Sequence, residues 1–377
     1  MGDNTEVTDM FGHAAFNFSC KSLFRAAIPP CKRTKYNRLR KVLRLWEKVI
    51  PKTLHPLFCI FTVEDIQWNR IIKGDIMNTS PQKSLVATAW VFLLLASLLP
   101  VIVLQEILGY SVSEDLRSAM TGTVILIGMA LTFVWKSIRP LRSFFVLFLV
   151  LVATEWLVFT KLDQLQFYQS WLNNPSFNVF MLAEQSLRLI VTLVIIAILF
   201  LLKKQFGAFF FVKGDVNAPV EPVRWLGIKK GERWNKAGKI FAIAISSGTL
   251  LFLILAGRPP LDIVLRALPF LHAILLAAAL NAFNEEMTYK ASFLSVLEEP
   301  LGKHHALWLM AAYFGIGHFY GVPYGVIGVL MAGFLGWLLG KSMLETRGLW
   351  WAWFIHFWQD VLIFSFLAIG SILPGGG

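Results

Sequence analysis

Charge is what this 377-residue chain has least of: only 15% of its residues are Asp, Glu, Lys or Arg, against 56% hydrophobic ones. A soluble globular domain carries about 25% charged residues, so that class is excluded. Acids are scarcer than bases, 23 against 35, and the formal net charge is +12. Cysteine is nearly missing. The three present, Cys20, Cys31 and Cys59, all precede the first long apolar run, and their odd number and spacing give neither a disulfide framework nor a CxxC metal pair. They read as free thiols in a reducing compartment. HExxH and a glycine-framed nucleophilic serine are also lacking, which removes two common hydrolase patterns. The opening MGDNTEVTDMFGHAAF has neither the basic start nor the apolar core of a secretory signal peptide, so none is expected.

In excess is long apolar sequence. Mean hydropathy is +0.62, and runs approaching the roughly 20 residues that cross a ~30 Å hydrocarbon layer recur beyond residue 83. The expected fold is all-α, a polytopic transmembrane bundle of roughly nine or ten apolar helices with a basic N-terminal cytoplasmic segment. Spans are expected at about 85–108, 119–135, 143–159, 179–202, 240–256, 263–283, 306–319, 322–339 and 349–369, with a shorter amphipathic piece at 288–297. Four regions follow: a basic segment at 1–82, an N-terminal transmembrane region at 83–204, a cytoplasmic loop at 205–238, and a C-terminal functional region at 239–372.

The basic residues fall between apolar runs, which is the positive-inside pattern and makes nucleic acid an unneeded partner. Between Lys21 and Lys52 eleven Lys or Arg face one acid, Glu47, and Leu39, Val42, Leu43, Trp46 and Ile50 make one apolar helical face. Such a helix lies on an anionic bilayer surface or on the protein's own loops. The loop holding Glu106, Glu114 and Asp115 is acidic, whereas KSIRPLR after the second span is basic. This alternation sets the N-terminus of a multi-pass protein in the cytoplasm, in a bacterium across the inner membrane. Glu184 and Arg188, one helical turn apart, read as a structural pair near the outer interface, and Glu155 as the acceptor of a buried hydrogen bond from another helix.

Five ionisable groups sit within the most apolar sequence: Glu285 and Glu286 in NAFNEEMTYKASF, His318 in YFGIGHFYG, and His356 and Asp360 in LWWAWFIHFWQDVLIF. Each costs about 2.5–3.5 kcal/mol at membrane depth on insertion scales, so they require partners or a function. Adjacent glutamates on a helix point about 100° apart, which lets one face a cavity while the other meets Lys290 four residues on. Pairing one acid and desolvating the other separates their proton affinities, as a general base near neutral pH requires. His318 lies one turn after Phe314 in a glycine-rich run, and His356 and Asp360 share a helical face. Two chemistries fit these residue types. In one, Glu285 activates water while His318, His356 or Asp360 hydrogen-bond the developing oxyanion; in the other, Glu285, His318 and His356 hold a zinc ion that activates it.

The order Glu285-Glu286 with Lys290, Phe314 to His318, the glycine-bearing GFLGWLLGKSMLETRGLWWAWFIH and His356 to Asp360 resembles the CPBP (CaaX protease and bacteriocin-processing) intramembrane proteases, which include the Ras-converting CaaX endopeptidases. The resemblance runs over about Trp225 to Phe364. It implies a membrane-embedded endopeptidase that cuts a membrane-associated protein or peptide near the cytoplasmic face, with no cofactor preferred and zinc the second choice. Carried onto this sequence, it makes Glu285 the base, Glu286 its support, and His318, His356 and Asp360 the oxyanion or substrate contacts, with Lys290 and Phe314 supporting. Lys290 departs from the family's usual Arg and cannot make the same bidentate fork. A non-catalytic membrane scaffold or immunity-type protein with the same fold is the alternative, favoured by Lys290. A proton-coupled transporter is a third reading, opposed by the gathering of charges in one C-terminal cluster.

Overall fold

The computed structural model describes residues 83–203 and 205–372, and all of them belong to one compact unit. The basic helix expected around residues 38–50 and the three cysteines lie outside the described residues. Every regular element described is helical. That is the outcome required of apolar chain segments that must satisfy their own backbone hydrogen bonds in lipid.

The N-terminal region opens with α1 (Lys83–Ala96) and α2 (Leu99–Ile107), bent by 54° where Pro100 enters and Ser97 Oγ accepts the Leu99 amide. Next comes α3 (Glu114–Val134), capped by Ser113, whose hydroxyl accepts the Leu116 amide at 3.3 Å. It packs on α4 (Lys136–Leu162), a rod with a 3₁₀ first turn and a π last turn. A short α5 (Gln166–Leu172) leads to the 27-residue α6 (Phe177–Lys203), which lies against α4.

Residues 205–233 carry 3₁₀ turns and two isolated bridges, Pro219 with Arg233 and Val223 with Ile228, so the loop expected to run to 238 ends five residues earlier, where α7 begins. The C-terminal region then runs through α7 (Trp234–Gly257), α8 (Leu261–Ala267), α9 (Leu271–Glu285), a π-helical segment Glu286–Ala291, α10 (Ser292–Gly317), α11 (Val326–Thr346) and α12 (Trp350–Ile372). α9 is central, because α6 packs on one side of it and α12 on another. α7 is peripheral: only 6% of its apolar window is buried, and Ile243, Leu251 and Leu255 face outward as a lipid-facing helix requires. Its polar link inward is Gln359 of α12, which accepts from Thr249 at 2.6 Å and donates to Ser246 at 2.9 Å.

Seven described helical runs are long and apolar enough to cross a membrane, and up to eight if the bent α1–α2 pair is one span. The count is lower than nine or ten because the pieces expected at 263–283, 288–297 and 306–319 all fall within the stretch Leu261–Gly317, which holds more than one helix: its backbone is non-helical at Gly302 (φ +77°, ψ 159°), where two helices meet. A positive φ of this kind is open to glycine and strained for other residues. α10 and α11 approach very closely: a Cβ on Gly315 would stand 2.7 Å from the Val329 carbonyl oxygen.

Candidate active site

Glu285 is the last residue of α9 and Glu286 the first of the π segment, so the change of helical pitch falls between the two acids. Both carboxylates are at the depth of the bundle core, and they have unlike surroundings. Glu286 is fully buried and takes a 2.7 Å hydrogen bond from Lys290 Nζ, itself fully buried. The ammonium also stands 3.5 Å from the centroid of the Phe314 ring, which holds it by cation–π attraction in a desolvated place. His356 Nδ1 donates to the same oxygen, Oε1, at 2.7 Å. The acceptor is a carboxylate, so Nδ1 carries the proton and the ring presents Nε2 to the other side. The second oxygen of Glu286, Oε2, is buried without a partner among the described residues. The lysine ammonium, a compact point charge with three rotatable donors, reaches one carboxylate oxygen here, where a planar guanidinium fork would cover two.

Glu285 is freer, with 16% of its side chain accessible. His356 Nε2 lies 3.7 Å from Glu285 Oε2 and 3.6 Å from Asp360 Oδ1, so the ring edge stands between two carboxylates. Asn281, one turn before Glu285 on α9, joins them: its amide nitrogen is 3.1 Å from Asp360 Oδ2 and 3.4 Å from Glu285 Oε1. α12 is tied to α9 nearby by the Trp353 indole N–H, which donates to the Ala279 carbonyl at 3.1 Å.

The structure therefore brings together Glu285, Glu286, His356, Asp360 and Lys290, with Phe314 beneath the lysine. His318 is held differently. At the end of α10 its Nδ1 is 2.7 Å from the Phe314 carbonyl oxygen and its ring lies 4.4 Å from the Phe314 ring. Among the described residues no hydrogen bond or ion pair joins it to the other four. Nor do any three His, Cys, Asp or Glu side chains among the described residues form a group that could hold a metal, the Glu285, His318 and His356 trio included.

Asn281 was not singled out from sequence, although an amide four residues before Glu285 on an apolar helix is a legible signal. A second polar layer was also missed. Thr192 of α6 donates to Asn284 Oδ1 and shares a hydrogen bond with Thr288, at 3.0 and 2.9 Å, while Asn284 donates to the Gln185 carbonyl at 3.3 Å. From α4, Glu155 accepts the Tyr289 hydroxyl at 2.6 Å, the inter-helix bond expected of it. Glu184 and Arg188 pair as expected, at 3.5 Å.

Residues 267–362 match the family model described as Type II CAAX prenyl endopeptidase Rce1-like, and the matched stretch contains all five ionisable groups. The match supports the CPBP/CAAX protease family for this segment. No curated protein and no solved structure matches the chain.

Proposed function

We propose, from the premise that residues 267–362 are an Rce1-like segment of the CPBP/CAAX protease type, that the protein is an intramembrane endopeptidase using a glutamate-activated water. The observation that carries the reading is the unequal pair of glutamates: Glu286 fixed by Lys290 and His356, Glu285 partly accessible beside His356, Asp360 and Asn281. Glu285 is the base, since its carboxylate is not consumed by a buried cation. Glu286 positions His356 through Nδ1, and Lys290 holds Glu286 at that oxygen.

In the reaction, water transfers a proton to Glu285 as its oxygen bonds to the peptide carbonyl carbon. The carbonyl oxygen becomes an oxyanion, stabilised by the Asn281 amide and by His356 when Nε2 carries a proton. Glu285 then returns the proton to the departing amine as the C–N bond breaks. Asp360 orients Asn281 and the Nε2 edge of His356. His318 contacts the substrate rather than the cluster, its Nε2 being the ring atom not engaged with Phe314. The substrate is a membrane-associated protein or peptide, met near the cytoplasmic face, and the N-terminus is cytoplasmic.

The test replaces Glu285 by Gln in the full-length protein and follows cleavage of a prenylated CAAX-ended peptide and of candidate membrane proteins. Loss of cleavage by at least about 1,000-fold is the expected result for removal of the base together with its charge. Cleavage by Glu285→Gln at the wild-type rate overturns the reading. A wild-type protein that cleaves nothing, yet whose Glu285→Gln variant reproduces its cellular phenotype, leaves the scaffold reading in its place.

A further inference from the structure

Where the loop 205–233 meets the start of α12 there is an open groove of about 250 Å³, lined by Phe211, Val212 and Lys213 from the loop and by Leu349, Trp350 and Trp353 from the helix side. None of the five ionisable groups of the candidate active site lines it. Its walls are pinned to each other through the backbone. The Leu349 amide donates to the Val212 carbonyl and the Asp215 amide to the Thr346 carbonyl, both at 2.8 Å. Between these bonds Gly214, at φ +76°, lies so near Gly348 that a Cβ on either would collide with the backbone of the other. The Trp351 indole N–H adds a bond to the Val216 carbonyl at 2.9 Å.

Five of the six lining side chains are apolar or aromatic and the sixth is a cation. Lys213 is exposed, and among the described residues no acid pairs with it and no hydrogen bond holds its ammonium, which stands 5.7 Å from the centroid of the Trp350 ring. Asp215, two residues on, is turned to its own loop, where Oδ1 accepts the Asn217 amide at 2.9 Å. The apolar surface continues past the groove. The Phe211 ring packs on Phe206 at 5.5 Å and Phe206 on Phe200 at 5.2 Å, so exposed aromatic rings lead from the groove onto the last turns of α6, a candidate membrane span. A peptide would find few backbone partners here. The amides of Phe211, Val212 and Leu349 are bonded within the protein, and the Trp353 indole N–H is given to Ala279.

We propose that this groove binds an anionic phospholipid of the leaflet around it, with the phosphate on Lys213 and one acyl chain along Phe211, Leu349 and Trp353. Charge complementarity selects the headgroup, since the one charged side chain of the lining is a cation with no acid of its own. Continuity with the apolar face of α6 selects a chain that enters from the bilayer. The site stands whether or not the protein is a hydrolase. Its position nonetheless bears on the candidate active site: Trp353 lies three residues before His356 on α12 and is bonded to α9 two residues before Asn281. A chain packed on that indole supports the α9–α12 seam from outside.

Two measurements on the full-length protein in detergent decide it, and neither needs turnover. Native mass spectrometry with equimolar phosphatidylglycerol and phosphatidylcholine of identical chains should show the anionic lipid retained over the zwitterionic one by about fivefold, the worth of one lysine near a membrane surface. Lys213→Gln should bring the ratio close to one, while Lys229→Gln, an exposed lysine of the same loop outside the groove lining, should leave it unchanged. Val212→Trp, which fills the groove from an exposed position, should lower retention of both lipids. Should Val212→Trp fail to fold, Lys213→Gln and Lys229→Gln carry the comparison alone. In thermal unfolding, phosphatidylglycerol should raise Tm more than phosphatidylcholine in the wild type and equally with it in Lys213→Gln, because a ligand of the folded state stabilises that state. Equal retention of the two lipids by the wild type, or an equal loss of preference in Lys229→Gln, overturns the proposal. So does the same rise in Tm from inorganic phosphate, which would make Lys213 an anion site without a chain. A carboxylate-ended apolar peptide that raises Tm through Lys213 where neither lipid does would assign the groove to a peptide and overturn it as well.

Discussion

At the scale of single residues, two adjacent glutamates become different chemical objects because of what each touches. Glu286 lies in a dry site against a buried ammonium and an imidazole, and Glu285 keeps accessible surface beside an amide. Removing one member of a buried charge pair leaves the other uncompensated, which costs about 3–5 kcal/mol. Lys290→Met is accordingly expected to lower unfolding stability by that amount in denaturant titrations in detergent, and to abolish hydrolysis. Lys290→Arg keeps the charge and adds a donor for Glu286 Oε2, which has none among the described residues, so cleavage should persist. Asn281→Ala removes a proposed oxyanion donor while leaving Glu285 in place. Its kcat is expected to fall by about 100-fold in steady-state assays, with KM little changed.

At the scale of elements, the π segment Glu286–Ala291 is the decisive local structure. Its widened turn starts immediately after Glu285 and is held from outside, by Tyr289 to Glu155 of α4 and by Thr288 to Thr192 of α6. Tyr289→Phe leaves a buried carboxylate without its donor and should destabilise by about 1–3 kcal/mol, measured by thermal unfolding in detergent. Glu155→Gln, which can still accept from the tyrosine, should stay within about 1 kcal/mol of wild type. The α10–α11 contact depends on a missing side chain. Gly315→Val would drive a branched side chain against the Val329 carbonyl and the Gly333 backbone, neither of which can yield cheaply, and loss of folded protein in size-exclusion profiles is the expected outcome.

At the scale of the whole molecule, the polar loop 205–233 and the outward apolar faces set the chain in the bilayer. With the orientation proposed above, a cysteine at Lys229→Cys should react with an impermeant thiol reagent only when the cytoplasmic face is open. Labelling from the outside of intact cells would reverse the topology. The sequence alone determined the class of the molecule, since an excess of apolar runs leaves only helices that satisfy their own backbone in lipid. It also marked Glu285, Glu286, Lys290, His356 and Asp360, because ionisable groups stand out in apolar sequence and helical periodicity puts residues four apart on one face. What it could not carry was contact between helices distant along the chain. Asn281 reaching Asp360, Tyr289 reaching Glu155, and Arg188 sharing a cavity with Glu285 join residues 79, 134 and 97 positions apart. His318 shows the same limit from the other side: spacing made it an equal candidate, and only the path of α10 gave it a hydrogen bond to its own helix and none to the other four among the described residues. Periodicity fixes which face a side chain takes on its own helix; the bundle alone decides what that face meets.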